Sequence, residues 1–359
     1  MLSENIRPEE QEQTNTSEPG ELVIPKEQIM EILDKLILDK GDYIQLYSVL
    51  LQYVRELNPC MVTITGIKSN TDWINNVQES NNQVSGVIIA NNGLELLVIA
   101  DYTKLKKAEI LSVTFYDDLT VNAVLKQYDE PTGLAVLAVD IDDLPEDYLE
   151  NGAKEATLLF TSYNRYVGMP VVALGSPMGT SGSIGYGIIN SLSGQLSFID
   201  TNYKIMQTDI LGSSDASGVL FNLEGQVIGI ITNKADSDLP NLVKAYSLME
   251  LRTKIQKMTN DEAIAYFGVT GTDVTTEAHL DLGVPYGAYV RKVEMDSPAM
   301  LAGIRQGDVI VNFGIMSIYS YADYIKELMQ KKPGDVVEIT IMRQNQTEYT
   351  QLVFNVTLE

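Results

Sequence analysis

Residues 205–232 read IMQTDILGSSDASGVLFNLEGQVIGIIT, and this stretch decides how the surrounding chain folds. Two apolar runs flank a loop of small residues at 212–218, and a Glu224-Gly225 turn follows. Small residues in a tight loop between strands allow backbone N–H groups to point into one space, which suits an anion. An ordinary glycine- and serine-rich connection in an all-β domain is the alternative interpretation.

Short runs of β-branched residues, separated by turn residues, lead from Met61 to this stretch. Clear examples lie at 85–90, 95–100, 134–139 and 171–175. Many short strands at such spacing predict barrels or a sandwich. We therefore expect a mainly β fold for this part of the chain.

The residues before Met61 have a different pattern. Residues 1–24 are polar and acidic, which predicts a disordered acidic linker. Residues 25–57 carry apolar side chains every three or four positions, which predicts a helical segment of one or two helices. Asp42 fits an N-cap, and Asn58-Pro59 would end the second helix. We expect the apolar stripe to pack on the following domain, with an oligomer contact as the alternative.

Composition excludes several classes of protein. The chain has 359 residues, 45% of them hydrophobic, which is ordinary for two or three globular domains. A net charge of −24 would repel a phosphate backbone, so we expect no nucleic-acid binding. With one cysteine, Cys60, and one histidine, His279, an intrachain disulfide is impossible and a structural zinc site is excluded in practice. We expect no metal and no cofactor.

The opening stretch resembles the nucleophile segment of HtrA-type trypsin-like serine proteases. In that family a Thr-Asp pair precedes a Gly-Asn-Ser-Gly-Gly-Pro-Leu loop and an Asn-x-x-Gly-x-Val-Ile-Gly-Ile hairpin. Here Thr208-Asp209 and residues 222–230, NLEGQVIGI, follow the pattern. Residues 169–179, MPVVALGSPMG, are similar to another turn of the family. The resemblance implies a trypsin-like double six-stranded β-barrel over residues 58–257.

The C-terminal part carries a second set of motifs. Residues 297–304 read SPAMLAGI and residues 306–310 read QGDVI, which resemble a helix and turn of bacterial permuted PDZ domains. The resemblance implies an α+β PDZ domain over residues 258–359.

The same resemblance implies a binding site for C-terminal or extended peptides of other proteins, which would add as a strand. The residues expected to form the carboxylate-binding loop are Tyr266, Phe267, Gly268 and Val269. The residues proposed for the helix side of the groove are Tyr321, Ile325 and Leu328, with packing in the PDZ core as the alternative.

The catalytic triad of the family is not intact in this sequence. The family's histidine segment falls near Tyr102, where no histidine is present. Gly133 replaces the aspartate within a Thr-Gly-Leu-Ala-Val-Leu segment that otherwise matches. Counting forward from Thr208-Asp209 places the nucleophile at Ser217, whereas counting back from Asn222 places it at Ala216. The loop is one residue shorter than the pattern, which predicts an altered oxyanion hole.

These observations favour an HtrA-like pseudoprotease that binds peptides or proteins as a scaffold, sensor or chaperone-like module. The alternative is an active serine endopeptidase with a rebuilt centre at Ser217. A serine–lysine dyad would need a nearby lysine, and Lys204 and Lys234 are the candidates by sequence proximity.

The resemblance also carries expectations about assembly and location. Many HtrA proteins form homotrimers, so a homotrimer is possible here. The acidic residues 1–24 resemble the spacer that follows a membrane anchor, so we expect an extracytoplasmic protein held by a segment absent from this chain. A cytoplasmic protein is the alternative.

Overall fold

The computed structural model describes residues 40–71, 77–161, 166–234, 241–346 and 348–359. The predicted linker 1–24 and the first predicted helix lie outside the described residues. The α-helices of the described part are α1 (Lys40–Leu57), α2 (Tyr148–Asn151), α3 (Leu248–Thr259), α4 (Thr276–Leu282), α5 (Pro298–Ala302) and α6 (Tyr321–Leu328).

The strands fall into three groups along the chain. The first group is β1 (Met61–Thr71), β2 (Val77–Asn91), β3 (Glu95–Asp101), β4 (Ile110–Phe115), β5 (Thr120–Asp129) and β6 (Leu134–Asp140). The second is β7 (Thr157–Leu158), β8 (Pro170–Ser176), β9 (Ser183–Phe198), β10 (Thr201–Leu211), β11 (Ser217–Phe221), β12 (Gln226–Ile231) and β13 (Leu242–Ser247). The third is β14 (Val269–Asp273), β15 (Ala288–Val293), β16 (Val309–Phe313), β17 (Met316–Ser317), β18 (Val336–Asn345) and β19 (Glu348–Thr357).

The first group closes into a barrel in the order β1-β2-β3-β6-β5-β4. Strands β3 and β6 are buried along almost their whole length. Their alternate residues belong to two different cores: Val98 and Leu137 pack inside this barrel, whereas Ile99 and Val136 pack in a core shared with the second barrel. Since both faces are covered, these strands read as continuous apolar runs.

The second group follows the order β11-β8-β9-β10-β13-β12, and pairing of β11 with β12 closes it. The short strand β7 adds in parallel to β12. The prediction of a mainly β protein with two six-stranded barrels is therefore confirmed.

The third group forms the sheet β14-β15-β16-β18-β19, with β17 paired to β16. Helix α6 packs on this sheet through Tyr321, Tyr324 and Leu328, which are buried. Ser297 caps α5 by accepting the Met300 N–H, and Pro298 stands at the start of that helix, where no N–H partner is needed. The α+β PDZ fold is confirmed for this part.

Helix α1 begins two residues before Asp42, so Asp42 lies in its first turn and does not form the predicted N-cap. The helix ends at Leu57 and a 3₁₀ turn containing Pro59 follows, as predicted. Near that end, the hydroxyl of Tyr53 donates to the Asn222 carbonyl and accepts the Gly225 N–H at 2.9 Å. These bonds hold the end of α1 on the β11–β12 hairpin. Among the described residues, we find no helix with the length and apolarity that crossing a membrane requires.

A buried ion pair fixes helix α3 on the first barrel. The Lys254 ammonium lies 2.7 Å from the Asp129 carboxylate, and both side chains are buried. Burial by itself would raise the pKa of Asp129, but Lys254 and hydrogen bonds from Thr132 outweigh it and lower that pKa. The pair therefore remains ionised inside the protein, where neither charge has enough water to replace its partner.

We predict that Lys254→Met lowers the free energy of unfolding by about 3–5 kcal/mol, because it leaves the Asp129 carboxylate buried without its cation. The double variant Lys254→Met/Asp129→Leu should recover most of this loss, since it removes both charges. Urea unfolding followed by far-UV circular dichroism measures the effect. A loss below about 1 kcal/mol, typical of an exposed pair, would contradict the prediction.

Candidate functional site

The cleft between the two barrels is where a trypsin-like enzyme carries its triad, and here it holds a cavity of about 270 Å³. Side chains from both barrels line it. They are Val84, Asp101, Thr103, Lys104, Ser214, Asp215, Ala216, Ser217, Asn233 and Lys234.

The residue that faces the Gly133 position is Thr103, not Tyr102. A Cβ atom placed on Gly133 would lie 2.3 Å from Oγ1 of Thr103. The ring of Tyr102 is buried in the core of the first barrel, beside the ring of Tyr128 at 5.6 Å between centroids. The backbone still links the two positions, because the Tyr102 N–H donates to the Gly133 carbonyl at 2.8 Å. The hydroxyl of Thr103 therefore lies opposite Gly133. A threonine hydroxyl is too weak a base to take a proton from a serine.

A lysine lies where the triad would need a carboxylate. Nζ of Lys234 would be 3.2 Å from a Cβ on Gly133. It donates to the carbonyls of Glu130 at 3.1 Å and Pro131 at 2.8 Å. Burial lowers the pKa of Lys234, and the nearby carboxylate of Asp101 opposes this. The charge at this point of the cleft is the reverse of the one that orients a catalytic histidine.

Ser217 is the first residue of β11 and its side chain is buried. Its Oγ accepts the backbone N–H of Ser85 at 3.0 Å, across the interface of the barrels. Beside it, the hydroxyls of Ser85 and Ser176 lie 2.7 Å apart. Ser217 thus connects the two barrels through a hydrogen bond at the edge of the cavity that it lines.

The loop before Ser217 uses its own amides for internal hydrogen bonds. The N–H of Ala216 donates to the Ser213 carbonyl at 3.0 Å, and the N–H of Asp215 donates to the Ser213 hydroxyl at 3.1 Å. The N–H of Ser213 donates to the Pro177 carbonyl at 3.1 Å. An oxyanion hole requires free N–H groups aimed at one point. In this conformation these three amides are already bonded.

The histidine of the chain lies in the PDZ domain. Nδ1 of His279, in α4, is 2.8 Å from the carbonyl oxygen of Val284, and its ring stacks on Tyr286 with centroids 3.9 Å apart. His279 is therefore part of the packing at the end of α4. Lys204, the other lysine considered from the sequence, is exposed on β10.

The predicted carboxylate-binding loop surrounds a carboxylate that belongs to this chain. The N–H groups of Phe267 and Gly268 donate to Oδ2 of Asp200 at 2.8 and 2.7 Å, and the N–H of Val269 donates to Oδ1 at 3.0 Å. The hydroxyl of Tyr324 donates to Oδ1 at 2.6 Å. Burial raises the pKa of the Asp200 carboxyl, and these four donors act in the opposite direction.

Gly268 is required by the local backbone as much as by any ligand. Its φ is +95°, and a Cβ there would lie 2.2 Å from the Cβ of Ser297.

On the helix side of the groove, Tyr321 and Leu328 are buried in the PDZ core. Tyr321 also donates its hydroxyl to the Val269 carbonyl at 3.0 Å. Ile325 is partly buried and, with Tyr321, lines a small cavity of about 260 Å³ between α6, β14 and β10. The ring of Tyr266 lies at the other side of the loop, with its hydroxyl 3.1 Å from a Cβ placed on Gly268.

Comparisons with known proteins agree with both halves of the fold. The trypsin-like peptidase domain family matches residues 84–230, and the PDZ domain family matches residues 249–353. The serine protease Do-like HtrA of Lactococcus lactis subsp. cremoris is 27% identical over 304 residues, which cover 78% of this chain and 72% of that protein. The chain is therefore similar to HtrA-type proteases, and it has a trypsin-like domain followed by a PDZ domain.

Two further comparisons show the same similarity. The probable periplasmic serine endoprotease DegP-like of Halomonas elongata is 28% identical over 266 residues, covering 72% of this chain and 53% of that protein. The solved structure of the HtrA-type protease AlgW with a decapeptide superposes with a TM-score of 0.60 at 22% identity, covering 86% of this chain and 98% of that one. At that identity the superposition supports the fold alone.

Three residues of these sites had no signal in the sequence. Thr103 follows Tyr102 directly, but the strand register alone does not reveal which of the two side chains faces the cleft. Lys234 and Asp200 reach their sites from about 100 and 67 residues away in the chain. A polar residue at a hairpin turn such as Asp200 is ordinarily read as turn chemistry.

We predict that Gly133→Ala destabilises the protein by at least about 1 kcal/mol more than Gly93→Ala. Both glycines have positive φ, +79° and +86°, but a Cβ at Gly93 meets nothing within 4 Å. The control therefore isolates backbone strain from the clash with Thr103. Thermal unfolding of both variants measures the difference, and adding Thr103→Ala should relieve part of it. Equal losses would show that the cleft around Gly133 is looser than described.

Proposed function

We propose that this chain is an HtrA-like pseudoprotease that acts through its PDZ domain, with residues 58–257 and 258–359 as its two functional domains. One observation carries the proposal. The single histidine, His279, lies in the PDZ domain, while the Lys234 ammonium is adjacent to Gly133, the position that should bear the orienting carboxylate.

The geometry of the cleft supports this proposal in chemical terms. A serine nucleophile needs a base within hydrogen-bond reach to take its proton, and a hydrogen-bonded imidazole is the group used in this family. The Ser217 hydroxyl oxygen instead accepts an N–H from Ser85. If the nucleophile position is Ala216, no hydroxyl is present there at all. In this proposal the degenerate triad positions are Tyr102, Gly133 and, depending on the alignment, Ala216 or Ser217.

We predict that a fluorophosphonate probe forms no adduct with the wild-type chain or with Ser217→Ala. Among the described residues no imidazole lies beside Ser217, and the amides of Ser213, Asp215 and Ala216 are already hydrogen-bonded, so little is left to drive attack on phosphorus. Intact-mass spectrometry reads the outcome, and trypsin treated in parallel confirms that the probe is reactive. An adduct at full stoichiometry that disappears in Ser217→Ala would overturn the pseudoprotease proposal.

The second candidate is an active serine endopeptidase with Lys234 as the base for Ser217. One observation favours it: both residues line the same cavity, and burial lowers the pKa of Lys234 toward the neutral, basic form. The two carbonyls that accept hydrogen bonds from Lys234 act against it, because they favour the ammonium form. If an adduct does form, its loss in both Ser217→Ala and Lys234→Met would identify this dyad.

For the PDZ domain, we propose binding of peptide C-termini or extended segments. The loop Tyr266–Val269 would hold the terminal carboxylate through the N–H groups of Phe267, Gly268 and Val269. Tyr321, Ile325 and Leu328 are the proposed helix-side residues. The convergence of these three amides on one carboxylate supports a preference for that group. The decapeptide named with the AlgW structure is consistent with peptide binding in this fold.

We predict that peptides with a free C-terminal carboxylate bind at least roughly tenfold more tightly than the same peptides ending in a carboxamide. The loss of charge-assisted hydrogen bonds is expected to cost about 1.5–3 kcal/mol. Fluorescence anisotropy with both forms of each peptide measures the ratio. A ratio near one would mean that the loop does not recognise the terminus.

Location and assembly are also part of the proposal. Relatives named as probable periplasmic endoproteases support an extracytoplasmic location. Homotrimer formation and a sensor or chaperone-like role are proposed from the resemblance to HtrA proteins. Sedimentation equilibrium tests the trimer directly.

A further inference from the structure

Asp200 occupies the PDZ loop in the way that a ligand would. Asp200 lies in the turn between β9 and β10 of the second barrel. All four groups that donate hydrogen bonds to its carboxylate belong to the PDZ domain. The side chain is buried. Burial of a carboxylate is costly unless strong donors replace water, so this turn and this loop are chemically matched.

The match extends to the backbone. The N–H of Asp200 donates to the Val269 carbonyl at 2.7 Å. Two residues further along β10, the Asn202 side chain donates to the Gly271 carbonyl at 3.1 Å. Residues 200 and 202 therefore reach the edge of β14 that is not paired with β15, through one backbone and one side-chain hydrogen bond, where an added strand would pair through its main chain. The combination of strand-edge bonds and a carboxylate in the amide loop is what a peptide C-terminus would supply.

The turn conformation presents the carboxylate to the loop. Asp200 has a φ of +58°, in the left-handed region that aspartate and asparagine tolerate better than most side chains. This backbone connects Phe198, the last residue of β9, to Thr201, the first of β10. The tight hairpin projects Asp200 from the surface of the second barrel.

We propose that Asp200 is an internal ligand of the PDZ carboxylate loop, and that an external peptide terminus binds only by displacing it. The proposal rests on the peptide-binding function proposed for the PDZ domain. It adds a regulatory element: binding of a partner's C-terminus is coupled to release of the β9–β10 hairpin from the PDZ domain.

Mass action sets the size of the effect. A protein whose binding site is open for only a fraction of the time shows an affinity reduced by that fraction. An internal ligand on the same chain acts at a high effective concentration. Removal of the Asp200 carboxylate should therefore tighten peptide binding by at least roughly tenfold.

The test compares Asp200→Gly with Asp118→Gly. Glycine accepts the positive φ at both turns, and Asp118, with a φ of +69°, lies exposed in the β4–β5 hairpin. Hydrogen exchange followed by mass spectrometry reads the amides of residues 267–269. Anisotropy with fluorescein-labelled octapeptides of random sequence, ending in an apolar residue with a free carboxylate, reads binding.

We expect Asp200→Gly to expose the loop amides, with exchange at least roughly tenfold faster, and to bind the octapeptides correspondingly more tightly. Asp118→Gly should match the wild type in both measurements. Asp200→Asn, which keeps the size and turn preference of the side chain but places an NH₂ donor among donors, should also speed exchange.

The outcomes separate this inference from the proposed function. Unchanged exchange in Asp200→Gly, or octapeptide binding that is measurable and equally tight in the variant and the wild type, would overturn the internal ligand. Peptide binding that persists in that case leaves the proposed function standing. Faster exchange with no octapeptide binding by either protein supports the internal ligand and contradicts peptide binding.

Discussion

The buried carboxylate of Asp200 is the interaction on which the arrangement of the second barrel and the PDZ domain depends. It is one acceptor surrounded by four donors, three of them backbone amides that have no side chain to rearrange. A carboxylate taken out of water requires such donors, and amides at a tight loop require an acceptor. Inside the protein, the carboxylate and the loop amides supply each other's hydrogen bonds. These polar contacts, in addition to buried apolar area, therefore join the two domains.

In the cleft, too, polar groups form hydrogen bonds within the protein. Ser217 gives its oxygen to an N–H of the other barrel, and Lys234 caps carbonyls at the turn that precedes Gly133. In an active triad the same positions are kept strained and partly unsatisfied, because chemistry needs a free base and free amides. Here the polar groups of the cleft are used to hold the barrels together.

The barrels and the PDZ fold could be predicted because their signals are local: buried strands such as β3 and β6 read as apolar runs, and short motifs such as residues 297–304 mark turns and caps. The cleft was predictable only in outline. The loop before Ser217 is one residue shorter than the family pattern, so counting from its two ends gives two answers. The role of Asp200 could not be predicted because its hydrogen-bond partners at 267–269 are far along the chain. The sequence of a hairpin turn does not indicate which distant amides it contacts.

The free energy of the Asp200 contact determines whether a peptide terminus can displace it. Opening it returns the carboxylate and the loop amides to water, which is why hydrogen bonds to charged groups contribute only about 1.5–3 kcal/mol each on balance. An incoming peptide terminus would restore the same amide bonds while Asp200 regained its hydration. The exchange is then close to balanced in hydrogen bonds, and the remaining difference comes from apolar side chains and from the hydrogen bond of Asn202 to β14. Such a contact is stable when no peptide is present. A peptide whose last side chain also packs in an apolar pocket would displace it.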